Sequence, residues 1–254
     1  RVEKVVDGVW VALGHDLAST VLISTDEGSV IVDTGMSPSR AREIRAALEE
    51  KTDVHPVAAV IYTHSHIDHI GGATVWAGDD TPVWSTDALP EHLMKQYGYF
   101  MEIESVRGGR QFGRHVPDAL VPCSALGRRV DIDAALENGV LLPTHTFSGK
   151  KVLDIGGRSI ELHEAHGETH DTLFVWLPRE RTLIAGDNFY WSFPNLYTLR
   201  GTSPRPVGEW IQSIDSMRAL EPAHLVPNHT LPLHGEREIS AALTNYRDAI
   251  QWVR

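Results

Sequence analysis

Short apolar stretches punctuated by glycine, proline and aspartate run through most of the chain, and their spacing predicts strands. Residues 8–13, 20–23 and 30–32 form the first three, with Asp26-Glu27-Gly28 as a hairpin turn between the second and third. Ser37-Pro38-Ser39 then starts a helix whose inward face is Ala41, Ile44 and Leu48. A buried-type strand over 57–62 runs directly into Thr63-His64-Ser65-His66, and Gly71-Gly72 lets the backbone turn tightly afterwards. A short helix, a strand near 82–84 and a helix over 89–97 follow.

Between 98 and 142, glycines, prolines and arginines mix without sustained period, which predicts an irregular insertion on the substrate side. Strands return at 151–155, 159–163, 173–177 and 182–185, followed by a helix over 210–220 built on Trp210, Ile211, Ile214 and Met217. A last strand at 224–226 leads into Pro227-Asn228-His229. The closing helix carries Ile239, Leu243, Tyr246, Ile250 and Val253 at helical spacing up to the final residues. The expectation is a truncated chain or a helix packed on something absent. Strands outnumber helices in each half, and each half ends in helices, a pattern that suits two packed sheets with helices outside.

Composition narrows the class. The 254 residues, 42% hydrophobic and 22% charged, suit one large domain or two small ones with a sizeable core. The single cysteine, Cys123, cannot form an intramolecular bridge. A net charge of −11 argues against a nucleic-acid-binding surface, and bound cations would neutralise part of it. No apolar run is long enough to span a membrane and no signal-peptide pattern is visible. The expected setting is aqueous, cytoplasmic or periplasmic. The first residue is Arg1, so removal of an N-terminal segment stays open.

The chemistry concentrates in His64-Ser65-His66-Ile67-Asp68-His69. Imidazole and carboxylate are the ligands that zinc and similar divalent ions prefer. Three histidines and one aspartate within six residues cannot all face a core, and in a loop they can converge. Further candidates stand at later strand ends: Glu168 within His166-Gly167-Glu168-Thr169-His170-Asp171, Asp187 after Gly186, and His229. Alone, Glu168 or Asp187 would read as a turn residue. With the first motif they are better explained as metal ligands.

These residues resemble the metallo-β-lactamase superfamily. The Thr-His-Ser-His-Ile-Asp-His stretch is similar to its signature, and Gly8-Val9-Trp10, the 30–33 strand end and Gly186-Asp187 stand in the order it shows. The resemblance covers nearly the whole chain and implies a single α+β domain over 1–254, a four-layer αββα sandwich with a two-metal site at the sheet edge. Asp16-Leu17-Ala18, Arg110-Gln111-Phe112-Gly113 and Asn195-Leu196-Tyr197-Thr198-Leu199-Arg200-Gly201 resemble motifs of the alkyl sulfatase branch. That branch carries glutamate where other members carry a ligand histidine, which points to Glu168, with His166 and His170 as flanking alternatives. The sequence departs from the branch in having Asp187 in place of a bridging glutamate and a shorter 98–142 region. The branch also carries dimerisation and lipid-carrier-like domains, and a homodimer stays open.

The resemblance implies one zinc ion held by His64, His66 and Glu168, a second held by Asp68, His69 and His229, and Asp187 bridging them. Two such ions about 3.5–4 Å apart hold a water whose pKa falls towards 7. The implied reaction is hydrolysis of an alkyl sulfate ester, with Asp68 and Asp187 in the catalytic centre and Arg200 gripping the sulfate by its guanidinium fork. Asp33 is expected to orient a ligand histidine, and Gln111 and Phe112 to line the pocket. Other readings are hydrolysis of another ester, thioester, lactone or β-lactam, an iron redox protein, or a binding module without turnover.

Overall fold

The computed structural model describes residues 1–54, 56–120 and 137–254. Cys123 and the central part of the 98–142 region lie outside the described residues. The first sheet runs β1 (Val2–Val6), β2 (Val9–Ala12), β3 (Thr20–Thr25), β4 (Gly28–Val32), β5 (Val57–Ile61), β6 (Val83–Thr86) and β7 (His145–Phe147), each beside the next. Strands β1 to β4 form an antiparallel meander, and β4 to β7 pair in parallel. The second sheet comprises β8 (Lys150–Ile155), β9 (Arg158–Glu164), β10 (Leu173–Leu177), β11 (Thr182–Gly186), β12 (His224–Pro227) and β13 (Leu233–His234), again in sequence order. Only its β11–β12 pair is parallel.

Alternation along the strands builds the layers, because successive side chains point to opposite faces. Val21 and Ile23, Val30 and Val32, Val175, Ile184 and Val226 point between the sheets and form the central core. Their neighbours Leu22 and Ile31 point outwards and are covered by α1 (Pro38–Glu49) through Ala41, Ile44 and Leu48. Phe174, Trp176, Leu183 and Leu225 point to the other outside, against α5 (Val207–Ala219) and α6 (Glu236–Val253). The fold is therefore the αββα sandwich expected. Helix α1 begins as read: the Ser37 side chain accepts from the Arg40 N–H, and Pro38 occupies the first turn.

One expectation needs correction. Residues 98–142 are not irregular throughout, since α3 (Leu89–Met94) runs through a π turn at Lys95–Tyr99 towards α4 (Met101–Gln111). The helix hid because α4 buries only Gly108 and Gly109, while Met101, Ile103 and Val106 are exposed, so no apolar stripe marks it. The backbone turns at Gly71 and Gly72 as expected, with φ −68° and −102°. The glycines also permit close approach: a Cβ at Gly71 would lie 2.0 Å from the Met36 carbonyl oxygen, and one at Gly72 2.3 Å from that of Thr34. In α6, Ile239, Leu243, Tyr246 and Ile250 are buried on the outer layer, whereas Val253 is exposed. Among the described residues no helix is long and apolar enough to cross a membrane.

Candidate metal centre

The parallel pairs β4–β5 and β11–β12 bring four strand ends to one edge of the sandwich. Asp33 follows β4, His64 follows β5, Asp187 follows β11 and His229 follows β12. The loop between β9 and β10 delivers Glu168 to the same edge. His66, Asp68 and His69 come from the loop after β5 and from α2 (Ile67–Ile70). The seven expected ligands meet there in overlapping groups, each with ligand atoms within 4.8 Å: His64, His69 and Asp187; Asp68, His69 and His229; His66, Glu168 and Asp187.

His69, His229 and His64 are each held by Nδ1 and turn Nε2 towards the centre, whereas both nitrogens of His66 are engaged, by His64 and Arg200. His69 Nδ1 donates to Asp33 Oδ2 at 2.6 Å, leaving Nε2 3.5 Å from both Asp68 Oδ2 and Asp187 Oδ1. His229 Nδ1 donates to the Leu17 carbonyl at 3.1 Å, leaving Nε2 3.0 Å from Asp187 Oδ2. His64 Nδ1 contacts Thr63 Oγ1 at 3.0 Å, and its Nε2 lies 2.8 Å from His66 Nδ1. Supports of this kind fix ring orientation in metal sites. Asp33, in the left-handed region at φ 58°, also accepts from the Thr63 N–H and hydroxyl and from Asn228 Nδ2. The expected orienting role of Asp33 thus has a geometry.

The donor set fits divalent cations. His69 Nε2 and Asp187 Oδ1 are buried without any hydrogen-bond partner, although both face the cluster, and such orphaned groups are costly unless an ion engages them. Burial pushes His69 and His229 down, but the carboxylates, Asp187 foremost, outweigh it; His69 ends well above its usual range and His229 at about 9. Burial likewise pushes Asp187 and Asp68 up, and the neighbouring imidazoles overcome it, holding Asp187 well below the usual range and Asp68 at about 2. Burial foremost, with the neighbouring His69 behind it, drives His64 to about 3, and burial with His64 and the guanidiniums of Arg200 and Arg205 drives His66 well down. The centre therefore combines ionised carboxylates with neutral imidazoles at His64 and His66, while His69 and His229 hold protons that a bound cation would displace.

Of the flanking alternatives, neither histidine joins the cluster. His166 is engaged through both nitrogens, with Glu209 at 2.8 Å and Glu164 at 3.2 Å, and His170 stacks beside His92. Glu168 is the residue brought in. Gly167 makes this possible, because a Cβ there would lie 1.9 Å from Asn188 Oδ1, which accepts the Glu168 N–H. Arg200 sits beside the centre, its Nη2 3.1 Å from His66 Nε2. Gln111 and Phe112 do not line the cavity as expected. Gln111 Oε1 instead accepts from Thr198 Oγ1 and from the Arg200 N–H, pinning the 195–201 loop to α4.

Sequence reading missed Arg205 and Tyr190. Arg205 is buried, forms an ion pair with Glu168 Oε1, and donates to the Glu168 carbonyl at 2.7 Å. Tyr190 donates to Glu168 Oε2 at 3.4 Å and accepts from the Asn195 N–H. Arg205 stands between two prolines in an aperiodic loop, a segment with no pattern to flag burial. A cavity of about 460 Å³ opens onto His66 and Glu168, lined also by Phe100, Ile103, Tyr197 and Arg107. That volume suits a small molecule.

The sequence profile of the metallo-beta-lactamase superfamily matches residues 13–229. The chain belongs to that superfamily. Within the metallo-beta-lactamase superfamily it is similar to a linear primary-alkylsulfatase of Pseudomonas sp., 28% identical over 246 residues that cover 91% of this chain and 45% of that protein. It is 33% identical over 193 residues to a 2,4-dinitroanisole O-demethylase subunit alpha of Nocardioides sp., covering 75% and 44% of the two chains. A double mutant of the sec-alkyl sulfatase PisA1 superposes with a TM-score of 0.92 at 25% identity, over 99% of this chain and 42% of that one. The chain spans less than half the length of these relatives.

Proposed function

We propose that this chain is a metal-dependent hydrolase of alkyl sulfate esters with two zinc ions in its centre. The observation that carries the reading is the convergence of seven ligand-type side chains around the unpartnered His69 Nε2 and Asp187 Oδ1. His64, His66 and Glu168 would hold one ion, Asp68, His69 and His229 the other, with Asp187 shared. Such ions supply electrophilic charge and make a nearby water a nucleophile at neutral pH.

The chain's own residues do the rest. Asp68 and Asp187 stay ionised, so they anchor cations and accept hydrogen bonds that orient a water. Arg200, whose Nη2 lies 3.1 Å from the cavity-lining His66, would grip the sulfate through two parallel N–H donors. Phe100, Ile103 and Tyr197 give the cavity apolar wall for an alkyl chain, and Arg107 adds positive charge for an anion. Similarity to alkylsulfatases supports the same class. A small-molecule anionic ester is thus the substrate proposed.

A second reading follows from the 33% identity to the O-demethylase subunit, namely cleavage of an aryl methyl ether. Initial rates of zinc-loaded protein on alkyl sulfates, 2,4-dinitroanisole, lactones and β-lactams separate the classes. The expected result is a clear preference in kcat/KM for alkyl sulfates. Faster turnover of any neutral substrate would overturn the sulfatase reading while leaving a metal-dependent hydrolase.

A further inference from the structure

Arg200 and His66 meet in a contact that dictates where protons sit. A guanidinium only donates, so the 3.1 Å approach of Arg200 Nη2 requires a lone pair on His66 Nε2. The neutral ring then carries its proton on Nδ1, which donates to His64 Nε2 at 2.8 Å. His64 in turn carries its proton on Nδ1, 3.0 Å from Thr63 Oγ1, and the Thr63 hydroxyl donates to Asp33 Oδ2 at 2.8 Å. Donors therefore run in one direction from the guanidinium to a buried carboxylate.

That arrangement excludes a cation on His66. A cation on Nδ1 takes the lone pair there and moves the proton to Nε2, setting two donors face to face at 3.1 Å. A cation on Nε2 would instead press directly against the guanidinium. Arg205, ion-paired with Glu168, adds a second positive charge on the same side. The base of Arg200 is fixed, its backbone N–H held by Gln111 Oε1 at 2.8 Å, and its Nε lies 3.8 Å from Oε2 of the cavity-lining Glu104, a carboxylate that can receive the guanidinium when it leaves His66.

We propose that Arg200 is a latch on this centre: a cation can settle on His66 only when Arg200 lets go, and an anion that captures Arg200 strengthens cation binding there. This rests on His66 being a metal ligand, as proposed above. Coupling between the two binding events is reciprocal, so an anionic substrate and the cation at His66 favour each other. Neither is needed for the other side of the centre, where Asp68, His69 and His229 face no such contact.

The test is zinc affinity measured by competition with a chromogenic chelator, for wild-type protein and Arg200→Gln, with and without inorganic sulfate. Arg200→Gln should bind the weaker of the two ions roughly tenfold more tightly, the scale of ordinary coupling between sites. Sulfate should tighten that ion in the wild type and have no such effect in the variant. Unchanged or weaker zinc binding in Arg200→Gln, or an equal sulfate effect in both proteins, would overturn the latch. Nitrogen-15 shifts of His66 give a second readout in unmodified protein: without zinc Nε2 accepts from Arg200, and with zinc Nε2 carries either the cation or the proton, so its shift changes in both cases. A zinc-bound state in which His66 Nε2 keeps its zinc-free shift overturns the proposal. A His66→Ala variant that keeps both ions at full affinity would instead remove the ligand assignment on which the latch rests.

Discussion

Asp33 Oδ2 accepts the Nδ1–H of His69 at 2.6 Å, from a carboxylate that is itself fully buried and fed by Thr63 and Asn228. The pair fixes which nitrogen of His69 faces the centre and makes that nitrogen more basic. Asp33→Asn keeps the shape but loses the charge. Loss of such a supporting partner typically costs about 10- to 100-fold in metal affinity. Zinc affinity of the variant should fall on that scale; an unchanged value would mean that His69 is not oriented through Asp33.

Glu168 separates the ligand assignments at the other ion. Glu168→Gln should lower zinc content, because a neutral amide is a poor substitute for carboxylate and leaves Arg205 without its ion-pair partner. His166→Ala and His170→Ala should keep full zinc content, since His166 is bound to Glu209 and Glu164 and His170 lies against His92. Elemental analysis of the three variants reads the outcome. Zinc loss in a histidine variant, with Glu168→Gln unaffected, would reverse the assignment.

Arg200 tests the sulfate. A charge-assisted pair of hydrogen bonds is worth about 1.5–3 kcal/mol, or roughly ten- to a hundredfold in binding. Arg200→Ala should therefore cut kcat/KM for alkyl sulfates by about that factor, and Arg200→Lys should recover only part of it, since ammonium lacks the fork. Turnover of a neutral ester should fall much less. Equal losses on charged and neutral substrates would make Arg200 a residue that shapes the loop.

Asp16 predicts a pH dependence in the zinc-free protein. Burial pushes its carboxyl up to about 6 from 3.8, against the opposing N–H groups of Met36 and Leu17. The folded state therefore holds this proton more tightly than the unfolded one. The stability it contributes is fully present below 3.8 and is lost as pH rises through about 6. The scale is on the order of 3 kcal/mol. Comparing the drop in melting temperature from about pH 4 to pH 7, Asp16→Asn should show a smaller drop than wild type. An identical drop would show that Asp16 does not carry the effect.

What the sequence revealed and what it hid follow from the same physics. Strands with both faces buried, such as 173–177 and, apart from Thr182, 182–185, are apolar and stand out. So do ligands packed into six residues after such a strand. Three strands went unread: β1 (Val2–Val6), where burial is partial, and β7 and β13, which are too short to carry a period. Helix α4 covers the cavity with its apolar residues exposed, so amphipathic spacing never develops. Arg205 and Tyr190 act on Glu168 through long-range contacts across aperiodic loop, and nothing in local spacing announces those.

The measurement that bears most directly on the proposed function is zinc content per chain, determined on dialysed protein alongside its alkyl sulfate turnover. Seven converging ligand-type residues are more than one tetrahedral ion can use. The expectation is two zinc ions per chain, with chelation abolishing turnover and zinc restoring it, and with His64→Ala or Asp68→Ala folded but inactive. Full alkyl sulfate turnover with one ion or none would contradict the dinuclear centre.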